Sequence, residues 1–507
     1  MESESLLMRA DASLQIGTGH VMRCLALAQA WHRRGGHIIF ATAMPAPALE
    51  ARLHAEHIEV VHLAAQPGSD EDAVQTATLA QQRQSVWVVV DGYHFTTNYQ
   101  RIIKDAGQQL FVIDDYGHTQ HYYADIVLNQ NLHAHAALYT SRAPDSRLLL
   151  GARYLLLRRE FLQEKDRSRE MPTAARRVLV TLGGSDPENV TATAIQALQH
   201  VRIDGLAATV VVGGSNPHLA QLREAIEKSR VPIHLEHNVA NLATLMRWAD
   251  IAISAAGSTA WELAFMGLPS LLIVEAENQR AIAEQLERVG AAHSLGWHGS
   301  LTACDIAWRL SAVAASGELL CLMTQRGLAV VDGNGADRVV MAMRGDPFRL
   351  RDVHDDDCRR LWEWATDPDV RAVSFSSTPI PWEHHRQWFY AKLRDPRCLF
   401  HIATDSADVP VGQVRYDREG DQAVISVSLD RQQRNRGYGS LLLRLSAQRV
   451  FATTALTLIH AYIKPENLAS IRAFEKAGYT HAGTTNMTGQ PAVHLTVEKS
   501  SASRGMP

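Results

Sequence analysis

Short apolar runs that alternate with longer helix-like stretches are the feature that most limits how this chain can fold. One series occupies the N-terminal third, and a second begins after the polar stretch 163–175; the runs are 6–8, 37–40, 86–90, 110–113, 126–128, 178–181, 209–212, 251–254 and 271–274. This rhythm is typical of parallel sheets covered by helices. The sequence therefore predicts two doubly wound α/β halves, with a ligand cleft between them at the carboxyl ends of the strands.

A different pattern begins near Gly345 and Pro347, which mark a junction after a helical stretch at 337–343. The strands and helices that follow, from 350–353 onward, are typical of a mixed α+β domain. The predicted domains are 1–160 and 161–345 for the two α/β halves and 346–507 for the α+β part. A chain of 507 residues is long enough to form several separate cores.

Composition excludes several classes of protein. With 46% hydrophobic and 21% charged residues, the chain resembles ordinary soluble enzymes. A formal net charge of -4 and a pI near 6.7 provide no basic surface for nucleic acid. The five cysteines are odd in number and widely spaced, which favours a reducing compartment and no zinc site. The first residues lack a basic segment and the apolar runs are too short to cross a membrane, so we expect a cytoplasmic protein without a membrane partner.

The first candidate site is a strand-to-helix turn at 7–23 that contains Gly17, Gly19 and His20. Glycines let backbone amides approach a ligand, and a helix N-terminus favours an anion such as a diphosphate. The same helix dipole disfavours a charged imidazole, so we expect His20 to be neutral and able to act as a base. Spacing alone leaves an equal alternative, a tight turn with a histidine at the start of a helix.

The second α/β half contains two similar loops. Gly257, Ser258 and Thr259 follow the strand at 251–254 and precede Glu262. Small residues at a helix N-terminus can hold phosphate, and Glu262 can accept hydrogen bonds from ribose hydroxyls. By spacing alone, a solvated helix charge is the favoured interpretation of Glu262. The other loop, 183–186, follows the strand at 178–181.

Together these segments resemble the UDP-2,4-diacetamido-2,4,6-trideoxy-β-L-altropyranose hydrolases of pseudaminic acid biosynthesis, which are similar to GT-B glycosyltransferases. The motifs that carry the resemblance are 9–11 with 16–20, 91–93, 183–186, 256–259 with Glu262, and 277–279. The resemblance implies a GT-B-like pair of Rossmann-type domains, with His20 as the catalytic base. It also implies two sets of ligand contacts: Arg9, Asp11, Gly17, Gly19, Tyr93, Asn278 and Gln279 for the substrate, and Gly257, Ser258, Thr259 and Glu262 for UDP.

The expected hydrolysis uses neither a metal ion nor a covalent nucleophile. UDP is a good leaving group, and helix N-termini can stabilise its developing charge. The remaining task is to activate one water, and attack opposite UDP should invert the anomeric centre. Asp11 either orients His20, binds the sugar or only caps its loop, and spacing does not decide among these roles.

The third domain contains another loop of the phosphate-binding type. Arg434, Arg436, Gly437, Gly439 and Ser440 lie between a strand at 424–429 and a helix at 441–450, in the pattern R-x-x-G-x-G. Consecutive backbone amides in such a turn form a nest for a pyrophosphate, and the arginines add positive charge.

Asn467 precedes a second helical segment, 468–478, where an ordinary asparagine N-cap is the alternative interpretation. The two segments in this order resemble the GNAT acetyltransferases over 348–497. The resemblance implies acetyl-CoA as co-substrate, bound by the glycine loop and Asn467. The segment 364–371 looks like the acceptor-side helix region of sugar-amine N-acetyltransferases.

One residue departs from the GNAT pattern. The tyrosine that often protonates the leaving thiolate would fall at Phe474, which has no proton to donate. Tyr462 and Tyr479 are near in sequence, although packing is the favoured role for both. Catalysis can also rest mainly on positioning the amine beside the thioester.

The fusion itself indicates a reaction order. In the pathway that the resemblance implies, acetylation of a UDP-linked 4-amino sugar directly precedes removal of UDP, so the third domain would make the substrate of the first two. Two alternatives stay open: a true glycosyltransferase that requires an acceptor, and a GNAT-like module that only binds acyl-CoA, as Phe474 permits.

Overall fold

A computed structural model describes residues 4–13, 16–164, 169, 172–434 and 436–499. Leu14 and Gln15 of the first glycine segment and Asn435 of the second lie outside the described residues, as do the last residues of the predicted third domain, 500–507. The chain forms two compact units. The first comprises Ser5–His32 and Gly36–Val340, and the second is formed mainly by the residues from Met341 onward.

The first half of the first unit is a parallel sheet in the order β3-β2-β1-β4-β5-β6-β7. Its strands are β1 (Ser5–Ala10), β2 (His37–Thr42), β3 (Glu59–His62), β4 (Ser85–Asp91), β5 (Leu110–Ile113), β6 (Ile126–Asn129) and β7 (Arg147–Leu150). Its helices are α1 (Gly19–His32), α2 (Pro47–Ala55), α3 (Asp70–Gln82) and α4 (Thr97–Asp105). The strand order reverses between β1 and β4, and such a reversal opens a crevice at the carboxyl ends of the strands.

The second half repeats this architecture in the order β10-β9-β8-β11-β12-β13. Its strands are β8 (Arg177–Thr181), β9 (Ala207–Val212), β10 (Ile233–His237), β11 (Ile251–Ala255), β12 (Ser270–Val274) and β13 (Ala292–Trp297). Its helices are α5 (Arg159–Leu162), α6 (Val190–Leu198), α7 (Leu219–Glu227), α8 (Leu242–Trp248), α9 (Ser258–Phe265), α10 (Arg280–Arg288), α11 (Ala303–Ala314), α12 (Gly317–Val330) and α13 (Gly335–Arg344). The predicted pair of doubly wound halves is confirmed.

Strand β4 shows why these apolar runs form interior strands. Trp87, Val88, Val89 and Val90 are all buried, so both faces of the strand are covered, as is usual in parallel sheets. The strand ends at Asp91, whose side chain is also fully buried. A buried carboxylate requires charged or hydrogen-bonding partners, and those partners form the centre of the first site.

The second unit is a mixed sheet in the order β14-β15-β16-β17-β18-β20-β19. Its strands are β14 (Arg349–Asp352), β15 (Cys398–Thr404), β16 (Pro410–Glu419), β17 (Gln422–Leu429), β18 (Leu458–Ile463), β19 (Thr480–Met487) and β20 (Gln490–Glu498). Its helices are α14 (Cys358–Thr366), α15 (Pro368–Val373), α16 (Trp382–Arg394), α17 (Tyr438–Thr453) and α18 (Leu468–Lys476). The predicted α+β architecture is confirmed.

Strands β17 and β18 run parallel and then diverge. Their described register pairs Gln422 with Leu458, Ala423 with Ile459 and Val424 with His460, and it ends there. From 425 to 429, β17 continues its antiparallel pairing with β16 on its other side. The divergence leaves a wedge beside β17 where an extended, amide-containing ligand can add to the sheet.

No single helix in the described part of the chain is long and apolar enough to cross a membrane. Two helical stretches that meet at a sharp bend are long and apolar enough only when they are counted together; they are Ala303–Ala314 and Gly317–Arg344.

Candidate active sites

His20 lies at the start of α1, immediately after the glycine turn, and its side chain is nearly buried. Its Nδ1 is 2.6 Å from Asp91 Oδ1 at the carboxyl end of β4. Arg23 Nη2 lies 3.3 Å from the same nitrogen, but the shorter contact is with the carboxylate. Because a carboxylate only accepts, Nδ1 carries the proton and Nε2 keeps a lone pair.

A buried charge network surrounds this histidine. Arg23 donates to Asp91 from Nε (2.6 Å) and Nη2 (2.7 Å), and to Asp115 from Nη1 (2.8 Å). Burial alone would raise the pKa of both carboxyls, but the Arg23 guanidinium outweighs burial and holds both pKa values below their usual range. Asp91 is therefore ionised and fixes the orientation of the His20 ring.

Tyr93 joins the two halves of the first unit beside His20. Its hydroxyl donates to Asp115 Oδ2 at 2.7 Å and accepts from Asn278 Nδ2 at 2.9 Å. The Tyr93 and His20 rings lie edge to face with centroids 5.0 Å apart. The structure thus brings together the predicted base and two predicted sugar-binding residues from motifs that are far apart in sequence.

The glycine-containing loops converge on the same place. A Cβ added to Gly19 would lie 3.6 Å from Ser258 Oγ, and one added to Gly257 would lie 3.7 Å from Gln279 Nε2. Gly184 packs more tightly, since an added Cβ would come within 2.7 Å of the Thr18 side chain. Any larger residue at Gly184 would push the 183–186 loop away from the first glycine turn.

Glu262 faces inward rather than toward solvent. It lies in the first turns of α9, and its Oε1 accepts from Arg158 Nη2 at 2.8 Å. Burial raises the pKa of Glu262, although Arg158 opposes the shift. Glu262, Ser258 and Arg23 line one small cavity. The interpretation of Glu262 as a solvated helix charge is therefore wrong, and its contact with UDP stays a prediction.

Arg9 and Asp11 lie deeper than the sequence predicted. Both are fully buried, with Arg9 Nη1 2.7 Å from Asp11 Oδ2 and Arg9 Nη2 2.7 Å from Asp72 Oδ2. Asp11 also accepts from the Ala43 amide and contacts His94 Nε2 at 3.0 Å. In this arrangement the Arg9 side chain ties Asp11 to Asp72, and its contact with substrate stays a prediction. The alternative in which Asp11 orients His20 is replaced by Asp91, which makes that contact.

Sequence reasoning missed the roles of Arg23, Asp115 and Arg158. A signal for Asp115 existed, because it follows β5 and the carboxyl ends of parallel strands meet at one edge of the sheet. Arg23 is one helical turn from His20, so the two share a face of α1. Arg158 precedes α5 without a recognisable motif, and its pairing with Glu262 is a purely tertiary contact.

Glu275 follows β12 near Asp186. Burial first, and then the Asp186 carboxylate, raises the pKa of Glu275 to about 8. In an unfolded chain a glutamate titrates near ~4.3, so between these pH values the folded state binds more protons. Stability is thus expected to fall as pH rises through this window.

We expect Glu275→Gln to raise the melting temperature by a few degrees at about pH 9 and to leave it unchanged at about pH 4, because the variant carries no charge at either pH. Thermal unfolding of both proteins at both pH values measures this difference. Glu277→Gln is the matched control, since the Glu277 side chain is 81% exposed. An equal effect of Glu275→Gln at the two pH values would show that burial of this carboxyl does not govern its titration.

In the second unit, Gly437 ends the loop before α17 with a φ of 77°, a left-handed conformation that favours glycine. Ser440 Oγ donates to Gly437 O at 3.0 Å, and Gly439 belongs to the first turn of α17. The unpaired amides of this first turn are available to an anion. The predicted pyrophosphate loop is thus located at a helix N-terminus.

The two predicted loop arginines differ. Arg434 Nη1 lies 3.3 Å from Asp367 Oδ1 and 3.1 Å from Asp369 Oδ2, so much of its charge is already neutralised. Arg436 contacts the neutral Gln433 Oε1 at 3.4 Å and is exposed. Of the two, Arg436 has the freer charge for a pyrophosphate.

Asn467 caps α18, with its side chain accepting from the Ser470 amide at 3.1 Å. The ordinary N-cap interpretation is therefore correct for its side chain. Phe474 is buried and packs edge to face on Tyr479, with ring centroids 4.8 Å apart. Burial raises the pKa of Tyr479 well above its usual value. Tyr479 is a packing residue, as expected.

Within the described ranges, no group of three or more His, Cys, Asp or Glu side chains is arranged to hold a metal ion.

Comparison with known protein families matches both parts of the chain. Residues 178–300 match the glycosyltransferase family 28 C-terminal domain, and residues 348–480 match the acetyltransferase (GNAT) domain. The first unit thus contains a family 28-type domain and is called the family 28-type unit below, and the second unit contains a GNAT domain. The GNAT domain accounts for the α+β unit and its loop before α17, and the family 28-type domain accounts for the second doubly wound half.

Three curated proteins are similar over long stretches. An uncharacterized protein of Methanocaldococcus jannaschii is 22% identical over 92% of this chain and 95% of its own length. The spore coat polysaccharide biosynthesis protein SpsG of Bacillus subtilis is 26% identical over 66% of this chain and 96% of its own length. The UDP-2,4-diacetamido-2,4,6-trideoxy-β-L-altropyranose hydrolase of Campylobacter jejuni is 26% identical over 56% of this chain and 97% of its own length. The predicted resemblance of the family 28-type unit to these hydrolases is confirmed.

Proposed function

We propose that the family 28-type unit hydrolyses a UDP-linked 2,4-diacetamido-2,4,6-trideoxy sugar, of β-L-altro configuration, to the free sugar and UDP. We propose further that the GNAT domain makes this substrate by N-acetylating the 4-amino group of the UDP-linked precursor with acetyl-CoA. The observation that carries the first activity is the Asp91–His20 pair beside Tyr93 and Asn278, at the convergence of the glycine loops.

His20 is the proposed base for hydrolysis. Asp91 accepts a hydrogen bond from His20 Nδ1–H. Nε2 is then free to accept a proton from a water as that water attacks the anomeric carbon. The buried Arg23 keeps Asp91 ionised and stabilises the pair electrostatically. Tyr93 and Asn278 lie next to this ring and are placed to contact the sugar.

The leaving UDP is proposed to bind where helix N-termini and glycine loops meet. The first turn of α9 begins at Ser258, close to Gly19, and Gly184 of the 183–186 loop lies against Thr18 of the same glycine turn. Backbone amide dipoles at such a helix N-terminus stabilise negative charge as it develops on the diphosphate. Water activated by His20 on the other face of the sugar would then invert the anomeric centre, by the geometric logic of inverting glycosidases.

In the GNAT domain, the first turn of α17 is the proposed pyrophosphate site of acetyl-CoA. We place the amide-containing arm of acetyl-CoA in the wedge between β17 and β18. The pairing of the two strands ends there, so β17 has backbone groups that can bind this arm. Segment 364–371 contacts the end of β17 through Trp364 Nε1, which donates to Asp430 Oδ2 at 3.0 Å. The acetyl donor and the predicted acceptor region thus meet at one end of the sheet.

The deciding experiment supplies the UDP-linked 2-acetamido-4-amino sugar and acetyl-CoA, and follows products by mass spectrometry and NMR. We expect one acetylation, release of coenzyme A, and then release of UDP into water without any added acceptor. A requirement for a sugar acceptor would favour a glycosyltransferase instead.

A parallel reaction with EDTA tests the metal-free proposal. Hydrolysis is expected to proceed at the same rate, and a loss of activity that a divalent ion restores would contradict the proposal.

A further inference from the structure

One face of the GNAT sheet is covered by helices at one end and carries a cluster of rings at the other. Arg415 on β16 packs under Trp388 of α16, with its guanidinium 4.9 Å from the ring centroid. Paired residues of neighbouring strands share a face, and the register leads from Arg415 to Ser426 on β17. The face that α16 covers at β16 therefore continues onto β17.

Continuing in register, this face carries Val424 beside His460 on β18, and Tyr462 opposite His494 on β20. The three rings are stacked, with centroids 4.8 Å apart for Tyr462 and His494 and 5.2 Å apart for the two histidines. All three are partly buried. We call His460, Tyr462 and His494 the ring cluster.

The ring cluster lies where a substrate amine must approach. His460 is the last β18 residue paired with β17, so the cluster begins at the point where the wedge opens. The β20 end of the same face is held to the loop after α15, since Gln490 Nε2 donates to Phe375 O at 2.9 Å. The cluster thus begins beside the wedge, on a face whose β20 end is tied to the loop that follows α15.

A chain of hydrogen bonds orders the two imidazoles. His460 Nε2 is 2.9 Å from Gln422 Oε1, and His460 Nδ1 is 2.9 Å from His494 Nε2. With the amide oxygen of Gln422 as acceptor, His460 carries its proton on Nε2 and accepts on Nδ1 from His494 Nε2. His494 Nδ1 is then left with a lone pair, while the chain ends at the exposed Gln422.

We propose that His494 is the base of the acetyltransferase reaction and that His460 passes the proton to solvent. This proposal rests on the proposed N-acetylation and names the groups that serve it. It assigns a base for the incoming amine, which is a separate role from protonation of the leaving thiolate, for which Phe474 has no proton.

The proton and bond balance is simple. His494 Nδ1 takes one proton from the ammonium group of the acceptor, and His494 Nε2 passes one to His460 Nδ1, whose Nε2 proton goes to water. The free amine attacks the thioester carbonyl and forms the N–C bond. The C–S bond then breaks, and the remaining surplus proton of the nitrogen goes to the thiolate, giving the amide and coenzyme A.

The surroundings favour a neutral His460 before the amine binds. Burial first, and then His494, lowers the pKa of His460. The titratable groups that face His494 from β18 are His460 and Tyr462, and its partner on β19 is Gly483. A proton passed to His460 is therefore readily released to solvent.

The test compares full-length variants in coenzyme A release from acetyl-CoA and the UDP-linked 4-amino sugar. His494→Gln is expected to lower kcat at neutral pH at least about 100-fold, the usual effect of losing a general base, with KM for acetyl-CoA little changed. His460→Asn, which keeps an acceptor for His494 but cannot relay a proton, should lose about tenfold. Added imidazole should partly restore His494→Gln, because a free imidazole can take the place of the lost ring.

His481→Gln is the matched control, since His481 on β19 is 55% exposed and pairs with Glu475 outside the cluster. It should retain wild-type rates. Wild-type activity in His494→Gln, or a loss confined to Tyr462→Phe, would overturn the assignment while leaving the acetyltransferase function intact. Failure of the wild-type chain to acetylate the 4-amino sugar would instead refute the proposed function and this assignment with it.

Discussion

His20→Asn is expected to lower UDP release by about 10² to 10⁴-fold or more, while UDP-sugar binding stays within a few-fold. The reason is that Nε2 is proposed to act on the attacking water in the transition state, whereas ground-state binding is proposed to rest on the glycine loops, Tyr93 and Asn278. UDP release from the diacetamido substrate measures the first effect, and calorimetric titration with a substrate analogue measures the second.

Two further variants test whether the loss of activity comes from the His20 ring itself or from a disturbance of α1. His32→Asn alters an exposed histidine in the last turn of the same α1 and should hydrolyse at the wild-type rate. Asp91→Asn can still meet Nδ1 but no longer holds the ring as the Nδ1–H tautomer, so its kcat should also fall by orders of magnitude. Normal turnover in His20→Asn would refute the assignment of the base.

Gly437→Glu is expected to abolish coenzyme A release and, with it, UDP release from the unacetylated amine. The substitution places a side chain on a backbone with φ of 77° and a carboxylate at the amides that receive the pyrophosphate. The same variant should still hydrolyse sugar that was acetylated beforehand, because the His20 site belongs to the other unit. His20→Asn should do the reverse, releasing coenzyme A normally while the UDP-linked diacetamido sugar accumulates.

Gly437→Ala is the matched control, since it adds the same backbone strain without the charge. A Cβ at this position has no atom within 4 Å among the described residues, so the alanine should weaken acetyl-CoA binding far less than the glutamate does. If Gly437→Glu released UDP from the amine as fast as the wild type does with acetyl-CoA, acetylation would not gate hydrolysis. The sequential order would then be wrong.

The positions of the candidate sites along the chain were predictable because they depend on local signals. Strand β4 is a continuous apolar run, and the turns at Gly19, Gly257 and Gly437 each join a strand to a helix. Such signals involve neighbours in sequence, so they determine where a loop lies and which residues it presents. They also sufficed to separate the two doubly wound halves from the α+β domain.

The partners across these sites were decided by tertiary structure alone. Asp91 lies 71 positions from His20 and makes the contact that was one of the roles left open for Asp11. Both carboxylates follow strands, so their spacing in the sequence does not distinguish them. Likewise, the stacking of His460, Tyr462 and His494 depends on the register of β18 with β20. Register and side-chain direction are set by packing over the whole sheet, where a shift of one residue moves a side chain to the opposite face. The sequence by itself therefore determined where the loops of the sites lie, because those signals are local, and the fold decided which distant side chains, such as Arg23, Asp115 and Arg158, join them.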